Sequence, residues 1–454
     1  MFVRKKRNPS GVVSIQIIDN SHGKYRVVKT IGSSSDANRI DELYAEGKQW
    51  LSDHLGNRDI FVEAAKAEDE KLMIEELLSN IDSILLNGIQ LILHKVFDLI
   101  GFNQIQDEVL RHLVTARLSQ PMSKAATVDY LKSHFDQDLQ LHKIYRYLDK
   151  LGNNQQDLIQ QISVEHTRKI LGGNIGLVFY DVTTLYFESD YADGFRETGF
   201  SKDGKHSQSQ IVLGLLVSRG GYPLSYSLFN GSQYEGRTMI PIIEDFIYKF
   251  NLEDFVVVAD SGLMNKSNLE LLEQGGYNYI IGARIKNETD EVKQWIFSLE
   301  KVDGVFYEHF KGERRLIVCY SQKRAKKDCY NRQKGIRRLQ KAYKSGNITK
   351  ENINKRGYNK FLDISDDVKV TINSEKIHMD EKWDGLKGYI TNTNLAPKDV
   401  YAQYNELWVV ERAFRVTKGT LEVRPMFHFN PVRIEAHVCI CFVAYKVYIR
   451  NWNE

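Results

Sequence analysis

The sequence predicts a mixed α+β fold in which helices flank a mixed sheet, a mainly helical region precedes the sheet, and a β-rich insertion precedes its last helix. Three observations carry that expectation. Apolar periodicity changes twice, becoming helical at Arg39 and β-type again near Ile175. Two of the later β-type runs hold a carboxylate, Asp181 within IGLVFYDVTTLYF and Asp260 at the end of FVVVAD. A helical stretch near the C-terminus, DVYAQYNELWVVERAFRVTK from Asp399 to Lys418, presents a third, Glu411.

Composition sets the class. A chain of 454 residues is long for one unit and has ample residues for a buried core. Five segments are expected: a basic β-hairpin over 1–38, a helical DNA-binding region over 39–170, the first part of the core sheet over 171–287, the β-rich insertion with a basic arm over 288–396, and the rest of the core over 397–454. The net charge of +3 does not by itself mark a nucleic-acid binder, but its distribution is uneven. Residues 1–30 hold seven Lys or Arg against one Asp, and residues 322–344 hold ten against one. Cysteines at 319, 329, 439 and 441 match no zinc spacing and read as reduced thiols. The basic start has no apolar run behind it, and VCICFVAYKVYI is too short to span a bilayer and contains Lys446. A soluble, intracellular protein is therefore expected.

In chain order, VVSIQIID and YRVVKTIG flank Asn20-Ser21-His22-Gly23 and predict a hairpin, with Arg4, Lys5, Lys6 and Arg7 beside it. Within the helical region, Ser123 to Lys150 reads as two helices joined by a polar turn, the second carrying His142, Lys143 and Arg146; a helix-turn-helix or a plain bundle fits that pattern. Three strands follow, around Asp181, at 209–218 and at 223–230, the last two joined by Arg219-Gly220-Gly221-Tyr222. A helix is expected over 237–250, then the strand ending in Asp260, a helix capped near Ser267, and a strand over 277–283. This order is that of a ribonuclease H-like sheet, whose first and fourth strands are neighbours with a late helix crossing them. In the insertion, RRLIVCYS, VKVTINSEKI and GLKGYITNT are strand-like, and KRAKKDCYNRQKGIRRLQKAYK forms a basic arm that includes Lys326, Lys327, Arg337 and Arg338.

A carboxylate inside an apolar strand is costly to bury unless paired or bound to a cation. Val400, Leu407, Val410 and Phe414 recur at helical spacing, and no Gly or Pro intervenes between Asp399 and Gly419, so one helix of about five turns is expected. Tyr404, Glu411 and Lys418 then share a stripe with Arg415 beside them. Alone that is a salt-bridged solvent face; with Asp181 and Asp260 converging on it, three hard-oxygen ligands suit two Mg²⁺ ions, about 3.5 to 4 Å apart, for phosphodiester chemistry.

With those residues in place, the chain resembles DDE transposases of bacterial insertion sequences, in the group marked by Tyr, two residues, Arg, three residues, Glu, six residues, Lys. Tyr404, Glu411 and Lys418 keep the spacing, while Leu407 stands in the Arg position, with Arg412 and Arg415 as nearby substitutes. The matching stretches also include YDVTTLYFES, IVLGLLVSRGGYPLSYSLFNGS, VVVADSGLMNKSNLELLEQGGYNYIIGARIK and VERAFRVTKGTLEVRPMFHFNPVRIEAHVCICFVAY. The resemblance implies catalytic and metal roles for Asp181, Asp260 and Glu411, two Mg²⁺ ions replaceable by Mn²⁺, and phosphate contacts from Tyr404, Arg412, Arg415 and Lys418. It implies binding of double-stranded DNA, both terminal inverted repeats and target, by a homodimer in a paired-end complex, followed by strand cleavage and transfer. Thr183 is a site-wall residue by resemblance, whereas Trp383 and Tyr389 match no family role and are expected in the core. A nuclease of the same fold without strand transfer, a non-catalytic DNA-binding relic, and an aspartyl-phosphate phosphatase with Asp181 as nucleophile are the alternatives; two strands directly after Asp181 disfavour the last.

Overall fold

The computed structural model describes all residues except 22, 56–59, 80–86, 202–203, 206, 253, 264, 346–356, 365–369 and 453–454. By its contacts the chain divides into two units, Met1–Ile84 and Leu85–Glu454.

In the first unit, strands β1 (Phe2–Arg7), β2 (Val13–Asp19) and β3 (Arg26–Ser34) form an antiparallel sheet in that order. The expected hairpin is β2–β3, and the basic residues Arg4 to Arg7 are themselves a strand paired with β2. Helix α1 (Ala37–Leu55) packs on this sheet, with Leu43 buried over Gly32 of β3 and Gly47 set against Val3, Ile15 and Ile31. The helical pattern expected to open a separate region at Arg39 thus begins inside this unit. Helix α2 (Ile60–Ser79) follows.

The second unit opens with helices α3 (Asn87–Ile100), α4 (Glu108–Ser119), α5 (Lys124–Phe135), α6 (Leu141–Asn154) and α7 (Gln156–Ile170). Asp107 caps α4 and Ser123 caps α5, each side chain accepting a backbone N–H of the first turn. His142, Lys143 and Arg146 lie on the exposed side of α6, whose buried side packs against the last helix, α15 (Pro431–Trp452).

The sheet then builds as expected. Strands β4 (Leu177–Tyr186), β5 (Gln210–Ser218) and β6 (Pro223–Asn230) meander, the β5–β6 turn using Gly220 and Gly221 at φ +81°. After α8 (Met239–Phe250) comes β7 (Val256–Ala259), parallel to β4; after α9 (Lys266–Gln274), capped by Asn265 rather than near Ser267, comes β8 (Asn278–Ala283), parallel to β7.

The insertion departs from expectation. Its strands β9 (Phe306–Lys311), β10 (Arg314–Tyr320) and β13 (Leu386–Thr391) continue the core sheet instead of forming a separate β-rich body, because β13 pairs antiparallel with β8. The whole sheet runs β6-β5-β4-β7-β8-β13-β10-β9. Helix α10 (Asp290–Ser298) precedes those strands, and the basic arm is helix α11 (Gln322–Lys344). The short pair β11 (Leu362–Ile364) and β12 (Val370–Ile372) packs beside α11 through Phe361, Leu362 and Leu339, followed by α12 (Ser374–Glu381).

The helix expected over Asp399–Lys418 is broken into α13 (Pro397–Asn405), α14 (Trp408–Arg415) and a π-helical turn, Val416–Thr420. Between the two helices the backbone tightens, with Glu406, Leu407, Val409 and Val410 each bonding three residues back at 3.0 to 3.2 Å. Arg219 clamps the break by donating from Nε and Nη2 to both oxygens of Glu406 at 2.7 to 3.3 Å, and Leu407 turns into the core. From Ala436 to Val447 helix α15 is buried on every side and almost wholly apolar; Lys446 within that stretch is fully covered and donates to Ser163 O and Thr167 Oγ1. Among the described residues no helix is long and apolar enough to cross a membrane.

Candidate active site

Register brings the two strand aspartates together. The parallel β4–β7 ladder ends at the pair Tyr180 and Ala259, so Asp181 and Asp260 are each the next residue on strands about 4.8 Å apart. Alternation then fixes the face. Val178, Tyr180, Val182, Val257 and Ala259 pack towards α8 and α9, while Leu177, Phe179, Leu185 and Val258 pack with α13, α14 and α15. Asp181 and Asp260 have the second parity and project to the side where α13 crosses β7–β8 and α14 crosses β4–β5. Thr183 shares that face and is buried.

Helix α13 reaches the site through Tyr404, which is 5% exposed and whose hydroxyl donates to Asp260 Oδ1 at 2.8 Å. Burial, then the Asp260 charge, raises the pKa of the phenol, so it stays a donor. Gly282 on β8 makes this contact possible: a Cβ there would meet the Tyr404 hydroxyl at 2.5 Å and Ser261 N at 3.0 Å. Glu411 is exposed on the first turn of α14 and acts electrostatically on both Tyr404 and Lys387. Asp181 Oδ1 accepts the Val182 N–H at 2.8 Å.

Beside Asp260 lies a cavity of about 490 Å³ whose walls include Arg284, Lys286, Arg324, Trp383, Lys387 and Tyr404. Arg284 is committed to the turn after β7, donating to Ser261 O at 2.8 Å and Gly262 O at 3.0 Å. Lys286 pairs with Asp380 at 2.8 Å. Lys387 projects from β13 with its ammonium 4.4 Å from the Tyr404 ring centroid. Burial and then Arg324 lower its pKa, against Asp260, Cys319 and Glu411, which pull it back up. Trp383, expected in the core, is half-buried and edge-on to Phe297, whereas Tyr389 is fully buried and packs edge-on to Tyr404.

The donor chemistry suits a hard divalent cation, since every candidate ligand is a carboxylate and two of them stand on one face of adjacent strands. Their spacing is not that of a finished cage: among the described residues no group of three His, Cys, Asp or Glu is close enough to hold an ion. Asp260 is tied to Tyr404 instead.

The transposase DDE domain family matches residues 173–446 of the sequence. The chain belongs to that family. Asp181, Asp260, Glu411, Arg324 and Lys387 all lie inside the DDE domain, and Lys143 and Arg146 lie ahead of it. Similar solved structures include a piggyBac transposase in a synaptic complex with hairpin DNA, 10% identical with a TM-score of 0.43, covering 76% of this chain and 66% of that one. A Mos1 transposase paired-end complex with the left transposon end is 11% identical at a TM-score of 0.18, covering 38% and 58%. A Mos1 mariner paired-end complex with Mn is 12% identical at 0.16, covering 50% and 74%. The chain thus spans just under two thirds of the piggyBac chain. No curated protein matches it.

Within the DDE domain, the structure separates the remaining sequence-derived candidates. Leu407 is 8% exposed and fills the Arg position of the signature as a core residue. Arg412 is half-buried near Tyr445, Arg415 is exposed, and Lys418 sits on the π-helical turn. Lys326, Lys327, Arg337 and Arg338 are exposed along α11, whereas Arg332 on the same helix is buried in a two-bond pair with Asp384 at 2.5 and 2.6 Å. Sequence reasoning missed Lys387 and Arg324. The signal for Lys387 was a lysine two residues before Tyr389 in GLKGYIT, on the same strand face as that buried ring.

Proposed function

We propose that this protein is a transposase that binds the terminal inverted repeats of an insertion sequence, cuts its strand ends and joins the free 3′-hydroxyls to target DNA. Asp181, Asp260 and Glu411 are its catalytic residues and would hold two Mg²⁺ ions, or Mn²⁺. The observation that carries this reading is the placement of Asp181 and Asp260 side by side on the face crossed by α13 and α14, with Tyr404 tethering Asp260 seven residues before Glu411. When bound, the ions neutralise phosphate charge and make the attacking oxygen a stronger nucleophile.

The chain's own groups orient and neutralise. Tyr404 holds one oxygen of Asp260 and leaves the other for a ligand. Lys387 and Arg324, in the cavity beside Asp260, supply the positive charge that Leu407 cannot, Lys as a point charge and Arg as a fork matched to phosphate oxygens. Arg412, Arg415 and Lys418 extend that grip beyond α14. Lys326, Lys327, Arg337 and Arg338 track the duplex backbone from α11, and Lys143 and Arg146 meet the transposon end from α6. Two copies act together in a paired-end complex.

The test is product analysis on end-labelled DNA carrying the element's own termini, with Mg²⁺ and a supercoiled target. Cut ends joined to target are expected. Cut ends that are never joined assign the protein to the nuclease class, and binding with no cutting assigns it to the non-catalytic class.

A further inference from the structure

A second cavity, of about 270 Å³, lies between α4, the start of α5 and the segment leading into α15. Its walls carry Arg117, Ser123, Lys124, Arg424, His428 and His437. Arg117 is 6% exposed and Lys124 7% exposed, yet among the described residues neither has a hydrogen-bond or ion-pair partner. Lysine and arginine are almost never that buried unless paired, since an uncompensated buried charge is costly. The carboxylate on the wall, Glu422, is exposed and outside ion-pair distance of both. Cys441, the remaining acid group felt by Lys124, is a buried thiol that burial keeps protonated.

The surroundings concentrate positive potential further. Lys124 is the first residue of α5, so the cavity also faces the N-terminal end of a twelve-residue helix, where the amides of Lys124 and Ala125 have no backbone acceptor. Ser123 Oγ accepts the Ala126 N–H and keeps its own proton to donate. Burial, then Lys124 and other nearby cations, pushes His428 down to about 4 and His437 well below its usual value; burial and the Arg117 charge lower Lys124 itself to about 7.

We propose that this cavity is a binding site for one phosphate group, held by Arg117 and Lys124 and by the first amides of α5. The anion supplies the missing counter-charge, Arg117 donates in a fork and Lys124 as a point charge. The site is separate from the carboxylates. Arg424 stacks 5.3 Å from the ring centroid of Tyr186, five residues along β4 from Asp181, or roughly 16 Å of strand. A phosphate from a nucleic-acid backbone and free phosphate share the chemistry.

The experiment is thermal unfolding of the full chain in rising inorganic phosphate against sodium chloride at matched ionic strength, with isothermal titration of the same anion. The wild type is expected to bind phosphate saturably and to gain a few degrees. Lys124→Met and Arg117→Met are expected to lose that gain while unfolding no earlier than wild type in chloride, because each removes an unpaired buried charge. A wild type that phosphate stabilises no more than chloride, or variants that keep the full gain, overturns the proposal; if a variant fails to fold, the wild-type titration still decides. Anisotropy with a labelled duplex separates the sources. Competition by inorganic phosphate together with weaker binding by Lys124→Met assigns the site to backbone phosphate, and duplex binding indifferent to both assigns it to the free anion. None of these readouts needs cleavage, so the phosphate site and the transposase reading fail separately.

Discussion

Tyr404 is the residue through which a distant helix acts on a strand carboxylate. Its hydroxyl is buried, held as a donor, and 2.8 Å from Asp260. A hydrogen bond to a charged group contributes about 1.5 to 3 kcal/mol, so Tyr404→Phe should slow single-turnover cleavage roughly 10- to 100-fold while leaving the fold intact. An unchanged rate would remove Tyr404 from the orientation of Asp260. Asp181 and Asp260 stood out in the sequence because a carboxylate interrupting an apolar strand is a local pattern, whereas Tyr404, expected to grip phosphate from an exposed helix face, is buried with its hydroxyl on Asp260. Lys387 and Arg324 did not stand out, because nothing local to GLKGYIT or to the basic arm tells that either residue faces Asp260. That depends on β13 pairing with β8 and on where α11 begins.

At the scale of elements, each strand of the insertion was readable and its destination was not. RRLIVCYS and GLKGYITNT have clear β periodicity, but a local pattern does not say whether a strand edges an existing sheet or starts another. The same limit applies to Asp399–Lys418, where helical periodicity persists through the break at Glu406 because a few three-residue turns shift the phase too little to erase it. The break follows from Arg219, 187 residues away in sequence. Helix α11 gives this scale its prediction. With Lys326, Lys327, Arg337 and Arg338 all changed to Gln, the slope of log affinity for duplex DNA against log salt should fall by roughly three to four, each lost phosphate contact removing about 0.9. Salt titration by anisotropy measures it, and an unaltered slope would show that α11 does not touch the duplex.

Across the whole molecule, the buried His166 and His437 and the half-buried His428 predict an acid limit of stability. Burial, with nearby cations, lowers His166 to about 3 and His428 to about 4, and lowers His437 well below the ordinary range. The folded chain therefore keeps them neutral while the unfolded chain takes up protons below about pH 6.5, so stability is complete above that value and is lost as pH falls through about 4 and on to about 3. Denaturant midpoints measured across this window should fall steadily; a flat profile would mean that these rings are not buried as placed.

The proposed joint action of Asp181, Asp260 and Glu411 at one metal site is tested most directly by cleavage with Asp181→Asn, Asp260→Asn and Glu411→Gln beside wild type. Each variant should keep end-specific DNA binding and lose cleavage and joining by several orders of magnitude. Cleavage that survives any one of the three substitutions would contradict the account and remove that residue from the site.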